Sequence, residues 1–235
     1  MKTELINWKA IFIFLLIITF ALFFFFPFYF MVSSSFKHPL DSSVYPPIIF
    51  NFEPTLKNYT TIFKKYPMAT YFINSFIVAT FATLVSMVLA IPASYGMERL
   101  ISKNRERVAY MFLTMQLIPP ISMVFALFWY ANFFGILGTY WLLVIGYTLW
   151  NVPYAIWLTR GFFTTIPKEL EEAAFVDGAS RIWVLRKIII PLTKPGIIAA
   201  TIFIFIGAWN EFTLAMFLTD SHTRTFPTTL GLFVT

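Results

Sequence analysis

The sequence predicts an all-α, polytopic transmembrane helix bundle with five full spans. Three observations predict it. Hydrophobic residues make up 59% of the 235 residues and charged residues only 12%, whereas a soluble domain is usually about 45–50% apolar. Aromatic residues reach 20%, with 30 Phe, and a soluble core of this size could not hide that bulk. Uncharged runs also recur at the length of about 20 residues that a helix needs to cross a hydrocarbon core of about 30 Å.

The spans follow in order. No charged residue lies between Ala10 and Phe36, and residues 11–30 are nearly all apolar. This is span one: the run exceeds the about 7–15 apolar residues of a signal peptide, and no A-x-A site follows it. In the first loop, "DSSVYPPIIFNFEP" reads as extended or turn structure from its prolines. In "TLKNYTTIFKK", Leu56, Tyr59 and Phe63 fall at i, i+3 and i+7. A short amphipathic helix is expected there, closing the end of the bundle or touching a partner. Span two covers residues 70–93. Residues 108–159 contain 52 positions without a charge. As one helix they would measure roughly 78 Å, so the chain must fold back. Asn132, Gly135, Gly138 and Thr139 supply the turn chemistry. Span three is then 108–130 and span four 140–158. Gln116, Pro119 and Pro120 interrupt span three, and Asn151 and Pro153 interrupt span four, as plausible hinges or path walls. Span five covers 196–218 and is interrupted by Asn210 and Glu211. The segment "PTTLGLFVT" after Phe226 is too short to cross.

The net charge of +6 does not read as a nucleic-acid face, because the basic residues sit between apolar runs. They report topology instead. Of the 17 Lys and Arg, 12 fall in the N-terminus (Lys2 and Lys9), the loop after span two and the loop after span four, and five fall on the other side. The excess of basic residues marks the cytoplasmic face. The reading is a multi-pass protein of the cytoplasmic (inner) membrane, with its N-terminus and residues 160–194 inside. The chain has no Cys, which removes disulfide and thiolate chemistry. His38 and His222 lie far apart without clustered acids, so no metal site is expected. No nucleophile–base pair stands out, so neither catalytic residues nor an enzyme are expected.

Residues 171–192, "EEAAFVDGASRIWVLRKIIIPL", hold the densest charge. Pro167 can stand at a first helical position, where a missing N–H costs nothing. Glu169, Glu171 and Glu172 then fall in the first turns, where the helix dipole favours anions. Leu170, Ala173, Ala174 and Asp177 share a small, shallow face that another surface could approach. Gly178 can end the helix in a left-handed conformation. Ser180 can cap a second helix, in which Ile182, Leu185 and Ile189 align. Pro191 is expected to end that helix and Pro195 to start the next span. The result is helix, sharp turn, helix; an ordinary amphipathic loop lying on the membrane is the other reading.

"EEAAFVDGASRIWVLRKIIIPLTKPG" resembles the EAA loop of the membrane subunits of ABC importers. That pattern is Glu-Ala-Ala, three residues, Gly, nine residues, Ile, one residue, then usually Leu-Pro. Here it falls on Glu172, Ala173, Ala174, Gly178, Ile188 and Pro191, with Ile190 where Leu is usual. "NSFIVATFATLVSMVLAIPASYGMERL", "NVPYAIWLTRGFFTTIPKELEEAAFVDGAS" and "AWNEFTLAMFLT" resemble the carbohydrate-uptake, maltose-type branch, and the likeness runs over residues 56–227. It implies a type I ABC importer transmembrane fold. Residues 1–69 would be a first helix and extracytoplasmic loop, and residues 70–235 the core domain with a coupling loop at 160–194.

The resemblance also implies partners. The coupling helices would sit in a cleft on a cytosolic ATPase. The assembly would hold two such ATP-binding cassette subunits and a second, homologous permease, and an extracytoplasmic solute-binding protein would deliver a sugar or oligosaccharide. Alternating access would be driven by ATP-Mg on the ATPase, with no cofactor bound here; no Gly is followed by Lys, so the phosphate loop is absent. Glu172, Ala173, Ala174, Asp177, Gly178 and Ala179 are the docking candidates by position. Ionisable and polar residues at membrane depth usually face a bundle interior or a water-filled path, so Glu211, Asn210, Asn151 and Gln116 are the translocation-path candidates. For Glu211 a hydrogen bond between the permeases, or a place near the outer interface, is equally open. The family pattern continues into a sixth span, so the core is expected to be incomplete after Thr235. Two other classes stay open: the same machinery for a peptide, polyamine or phosphate-ester cargo, and a structural membrane protein without an ATPase.

Overall fold

The computed structural model describes residues 8–101 and 103–232, and among them all regular structure is helical. The chain forms two compact units that divide between Met68 and Ala69.

The first unit contains α1 (Trp8–Ser35), α2 (Pro39–Ser42) and α3 (Lys57–Lys65). Helix α1 continues past Pro27, and only Ser33 on it is buried. Its Phe side chains are mostly exposed, as suits a helix whose solvent is lipid. The loop after α1 is pinned by Asn58, whose amide donates to the carbonyls of Ser35 at 3.0 Å and Lys37 at 2.7 Å. Lys37 is 1% exposed. Its ammonium lies over the rings of Phe30 and Phe52, at 4.9 and 5.1 Å, a cation–π arrangement that offsets part of the cost of burial. Helix α3 forms where the periodicity predicts it. Its apolar stripe is not covered, however: Leu56 and Phe63 stay exposed, and Tyr59 packs only partly, on Phe36. The Lys2 used in the charge count lies outside the described residues.

The second unit begins with α4 (Met68–Leu100), α5 (Arg105–Met115), α6 (Pro120–Phe133) and α7 (Tyr140–Phe163). It continues with α8 (Glu169–Val176), α9 (Arg181–Val184), a π-turn (Leu185–Ile189), α10 (Ile190–Leu192), α11 (Lys194–Trp209) and α12 (Thr213–Leu218). A 3₁₀ segment, Pro227–Leu232, follows; the last three residues of the tail lie outside the described residues. Among the described residues, α1, α4 and α7 are each long and apolar enough to cross a membrane. Two bent pairs raise the number to up to five if each pair is one span: α5 with α6, at 78°, and residues 181–192 with α11, at 83°.

Two details differ from the sequence reading, and a third has the expected form. Span 108–130 is interrupted where expected, because Pro120 forces Pro119 out of the α region, to ψ 137°. Gln116 in this break ties it to α7, its Nε2 donating to the Trp150 carbonyl at 2.8 Å. The first helix of the charged loop starts at Glu169 rather than Pro167. Pro191 does not end the second helix. A π-turn precedes it, with Ile190 N–H reaching back to the Leu185 carbonyl, and this wider turn gives the ring room that an α-turn lacks. The break comes at Thr193 instead.

Packing is close where the spans meet. Val78, Leu143, Tyr147, Leu214 and Leu218 form one core between α4, α6, α7 and α12. At the end of the bundle carrying the charged loop, Tyr95, Phe163, Val184 and Ile189 form another. Gly196 is needed there, since a Cβ would stand 2.2 Å from the ring of Phe162. At the opposite end, Asn74 donates to the carbonyls of His222 and Arg224 at 2.8 Å each and accepts from Tyr140 at 2.9 Å. The turn between α6 and α7 uses Gly135 and Gly138 at φ 68° and 74°, and Thr139 Oγ1 caps α7 by accepting from Leu142 N–H. The backbone N–H of Thr223, aided by that of His222, holds the Asp220 carboxyl below its usual range.

Candidate functional site

The charged loop folds as helix, turn, helix across one end of the second unit. Helix α8 ends where Gly178 adopts φ +84°, and Ala179 N–H returns to the Ala174 carbonyl at 2.9 Å, the hydrogen bond of a left-handed helix stop. A Cβ at Gly178 would meet nothing within 4 Å, so backbone conformation alone asks for glycine here. Ser180 then caps α9, its Oγ accepting from Trp183 N–H at 3.3 Å. Between the two helices lies an open cleft of about 680 Å³ lined by Ala174, Asp177, Gly178, Ala179, Ser180, Trp183 and Ile188.

Four of the six docking candidates, Ala174, Asp177, Gly178 and Ala179, therefore share one concave surface. The other two, Glu172 and Ala173, are exposed on α8 just outside it. Small side chains beside a concave, partly polar surface allow a protein partner's side chains to approach the backbone closely.

By sequence, Glu171 is expected only to complement the dipole of α8. In the structure it is 3% exposed. It accepts a hydrogen bond from Tyr95 Oη at 2.8 Å and pairs with Arg99 Nε, both from α4. Arg99 Nη2 also donates to the carbonyls of Phe163, at 3.3 Å, and Ile166, at 3.0 Å, which ends α7. The neighbouring Glu98 is buried too and pairs with Arg160 of α7, which in turn pairs with Glu106 of α5. The visible signal for this group was "YGMERL", two opposite charges closing an apolar run; nothing in the spacing said which of the loop's glutamates they would meet.

The four path candidates occupy different places in the bundle. Glu211 sits in the break between α11 and α12, and its carboxylate accepts from the backbone N–H of Leu214, at 2.9 and 3.0 Å, and of Ala215, at 3.2 Å. It therefore caps α12. Asn210 donates to the Ile206 carbonyl at 2.9 Å and borders an apolar hollow of about 350 Å³ with Phe72, Phe76, Phe205, Ile206 and Trp209. Asn151 is buried in α7, with its Oδ1 close to Gly207 of α11. Gln116 lies in the α5–α6 break, bonded to Trp150 as described.

Comparison with known proteins places this geometry in a class. Residues 89–233 match the family described as "Binding-protein-dependent transport system inner membrane component", and the chain belongs to that family. It is a multi-pass membrane permease subunit of an ABC-type importer, not an enzyme, and membership implies a partner ATPase and a solute-binding protein. Among relatives, it is 34% identical over 211 residues to the trehalose/maltose transport system permease protein of Thermococcus litoralis, covering 88% of this chain and 75% of that one. It is 32% identical to the sulfoquinovosyl glycerol transport system permease protein of Agrobacterium fabrum, over 88% and 73% of the two chains. It is 33% identical to the diacetylchitobiose uptake system permease protein of Streptomyces coelicolor, over 89% and 76%. A bacterial ABC transporter involved in import of the acidic polysaccharide alginate has a similar fold, with TM-score 0.76 at 21% identity, over 99% of this chain and 81% of that one.

Proposed function

We propose that this permease imports a sugar or oligosaccharide by alternating access, powered through the loop at residues 160–194. The observation that carries the reading is the α8–Gly178–α9 turn with its open cleft, built on the motif that the resemblance assigns to ATPase docking. Glu172, Ala173, Ala174, Asp177, Gly178 and Ala179 form the docking surface. Two ATP-binding cassette subunits, a second homologous permease and an extracytoplasmic solute-binding protein complete the assembly, and ATP-Mg binds on the cassette subunits. The N-terminus and the docking loop face the cytoplasm, as the Lys and Arg distribution favours.

The sugar cargo is supported by the relatives, whose names specify disaccharides and a sugar glycoside of glycerol. The translocation path runs past the two irregular segments, at Gln116 and at Asn210–Glu211, with Asn151 between them. Irregular backbone at membrane depth is tolerated where protein or water satisfies it.

Gly178→Pro tests the docking role. Proline requires φ near −65°, against +84° here. The variant should insert in the membrane normally but lose sugar-stimulated ATP hydrolysis when the complex is reconstituted with its binding protein. Unchanged stimulation would overturn the assignment.

A further inference from the structure

The docking loop could be held to the bundle by packing alone. Val184 and Ile189 of the loop already share an apolar cluster with Tyr95 of α4 and Phe163 of α7. Apolar contact resists separation, but it is non-directional: a helix can slide along its neighbour and keep most of its buried area. A load-transmitting joint also needs resistance to sliding.

Directional bonds supply that resistance here. The carboxylate of Glu171 is held at both oxygens by α4, through Tyr95 Oη and Arg99 Nε. The Arg99 guanidinium is fixed in turn by the carbonyls of Phe163 and Ile166. The side chains of Glu171 and Arg99 are 4% and 8% exposed, so solvent screens the pair little. One residue before Arg99, Glu98 binds Arg160 of α7 and approaches Arg105 of α5 at 3.8 Å. The end of α4 is thereby bonded to the docking loop on one side and to α5 and α7 on the other.

We infer that Glu171 and Arg99 are positioning residues for coupling, which make α8 and α4 move as one body when the ATPase displaces the loop. This rests on the function proposed above. Glu171 is not itself part of the docking surface: it faces inward, while Glu172 beside it faces out. The adjacent glutamates divide the work, one for the partner and one for the bundle. Without the charge pair, the loop would still dock but would slip on α4.

The test uses the full complex of permeases, ATPases and binding protein, with this chain carrying nitroxide labels at Glu169→Cys on α8 and Val88→Cys on α4. The chain has no native Cys to compete, and both sites are exposed. In the parent, the label-to-label distance should be the same without nucleotide and after trapping with ATP-Mg and vanadate. With Glu171→Ala, the complex should still co-purify with its ATPase, but trapping should shift and broaden the distance. Glu171→Gln, which keeps an acceptor for Tyr95 but no charge, should give a smaller shift in the same direction; it carries the test if the alanine variant fails to assemble. A nucleotide-dependent distance in the parent, or an unchanged one in both assembled variants, overturns the inference. A parent that neither co-purifies with an ATPase nor traps nucleotide overturns the proposed function instead.

Discussion

Glu211 combines a carboxylate, an apolar run and a helix start, and the structure shows how these fit. Its two oxygens accept the backbone N–H groups of Leu214 and Ala215, donors that the first turn of α12 would otherwise leave unpaired at depth. Glu211→Ala should therefore destabilise α12 by about 1 kcal/mol, in the range for loss of an N-terminal cap. Glu211→Gln, which keeps one acceptor, should lose less. The thermal midpoint of the purified complex in detergent checks both. Transport by the glutamine variant reads the path role separately: a deficit with normal assembly supports it, and full transport leaves the residue with the cap alone. The sequence exposed the residue as anomalous but not its partners, because a cap and a path wall put the same residue type in the same apolar run. Gly178 is the opposite case. A turn flanked by a small-faced helix and a Ser cap has few solutions, and φ +84° is the one the sequence indicated.

At the scale of elements, the breaks were legible and their geometry was not. Pro119 and Pro120 mark where span three is interrupted, yet the 78° bend between α5 and α6 depends on what packs beside them. Pro191 misled for a related reason: the local rule for proline assumes an α-turn before it, and a π-turn removes the clash. The contact between α7 and α11 depends on a residue with no side chain. At Gly196 even a methyl group would overlap the Phe162 ring, and helix backbone limits how far either can move. Gly196→Ala should cost roughly 1–3 kcal/mol, the usual range for overpacking. The expected outcome is less assembled complex and a lower thermal midpoint, while Gly161→Ala, in open space on the same connection, should behave as the parent.

For the whole molecule, composition and spacing were enough for the class, since length and hydropathy limit what a helix can do in a bilayer. Orientation is a separate question that a membrane-impermeant thiol reagent can settle. Tyr45 in the first loop is 93% exposed and Lys103 after α4 is also exposed. In intact cells the reagent should modify Tyr45→Cys and spare Lys103→Cys, with the pattern reversed in inside-out vesicles; the opposite result would invert the topology. The elbow at Thr193 bears on what such a molecule does under load. Residues 181–192 make an arm of about 18 Å, set at 83° to α11, whose own length is about 24 Å at about 1.5 Å per residue. If the elbow is stiff, pushing the tip of the arm by about 3 Å tilts α11 by roughly 10° and carries its far end about 4 Å. The joint is thus a bell crank with a mechanical ratio of about 1.3: it changes the direction of a stroke and enlarges it by about a third.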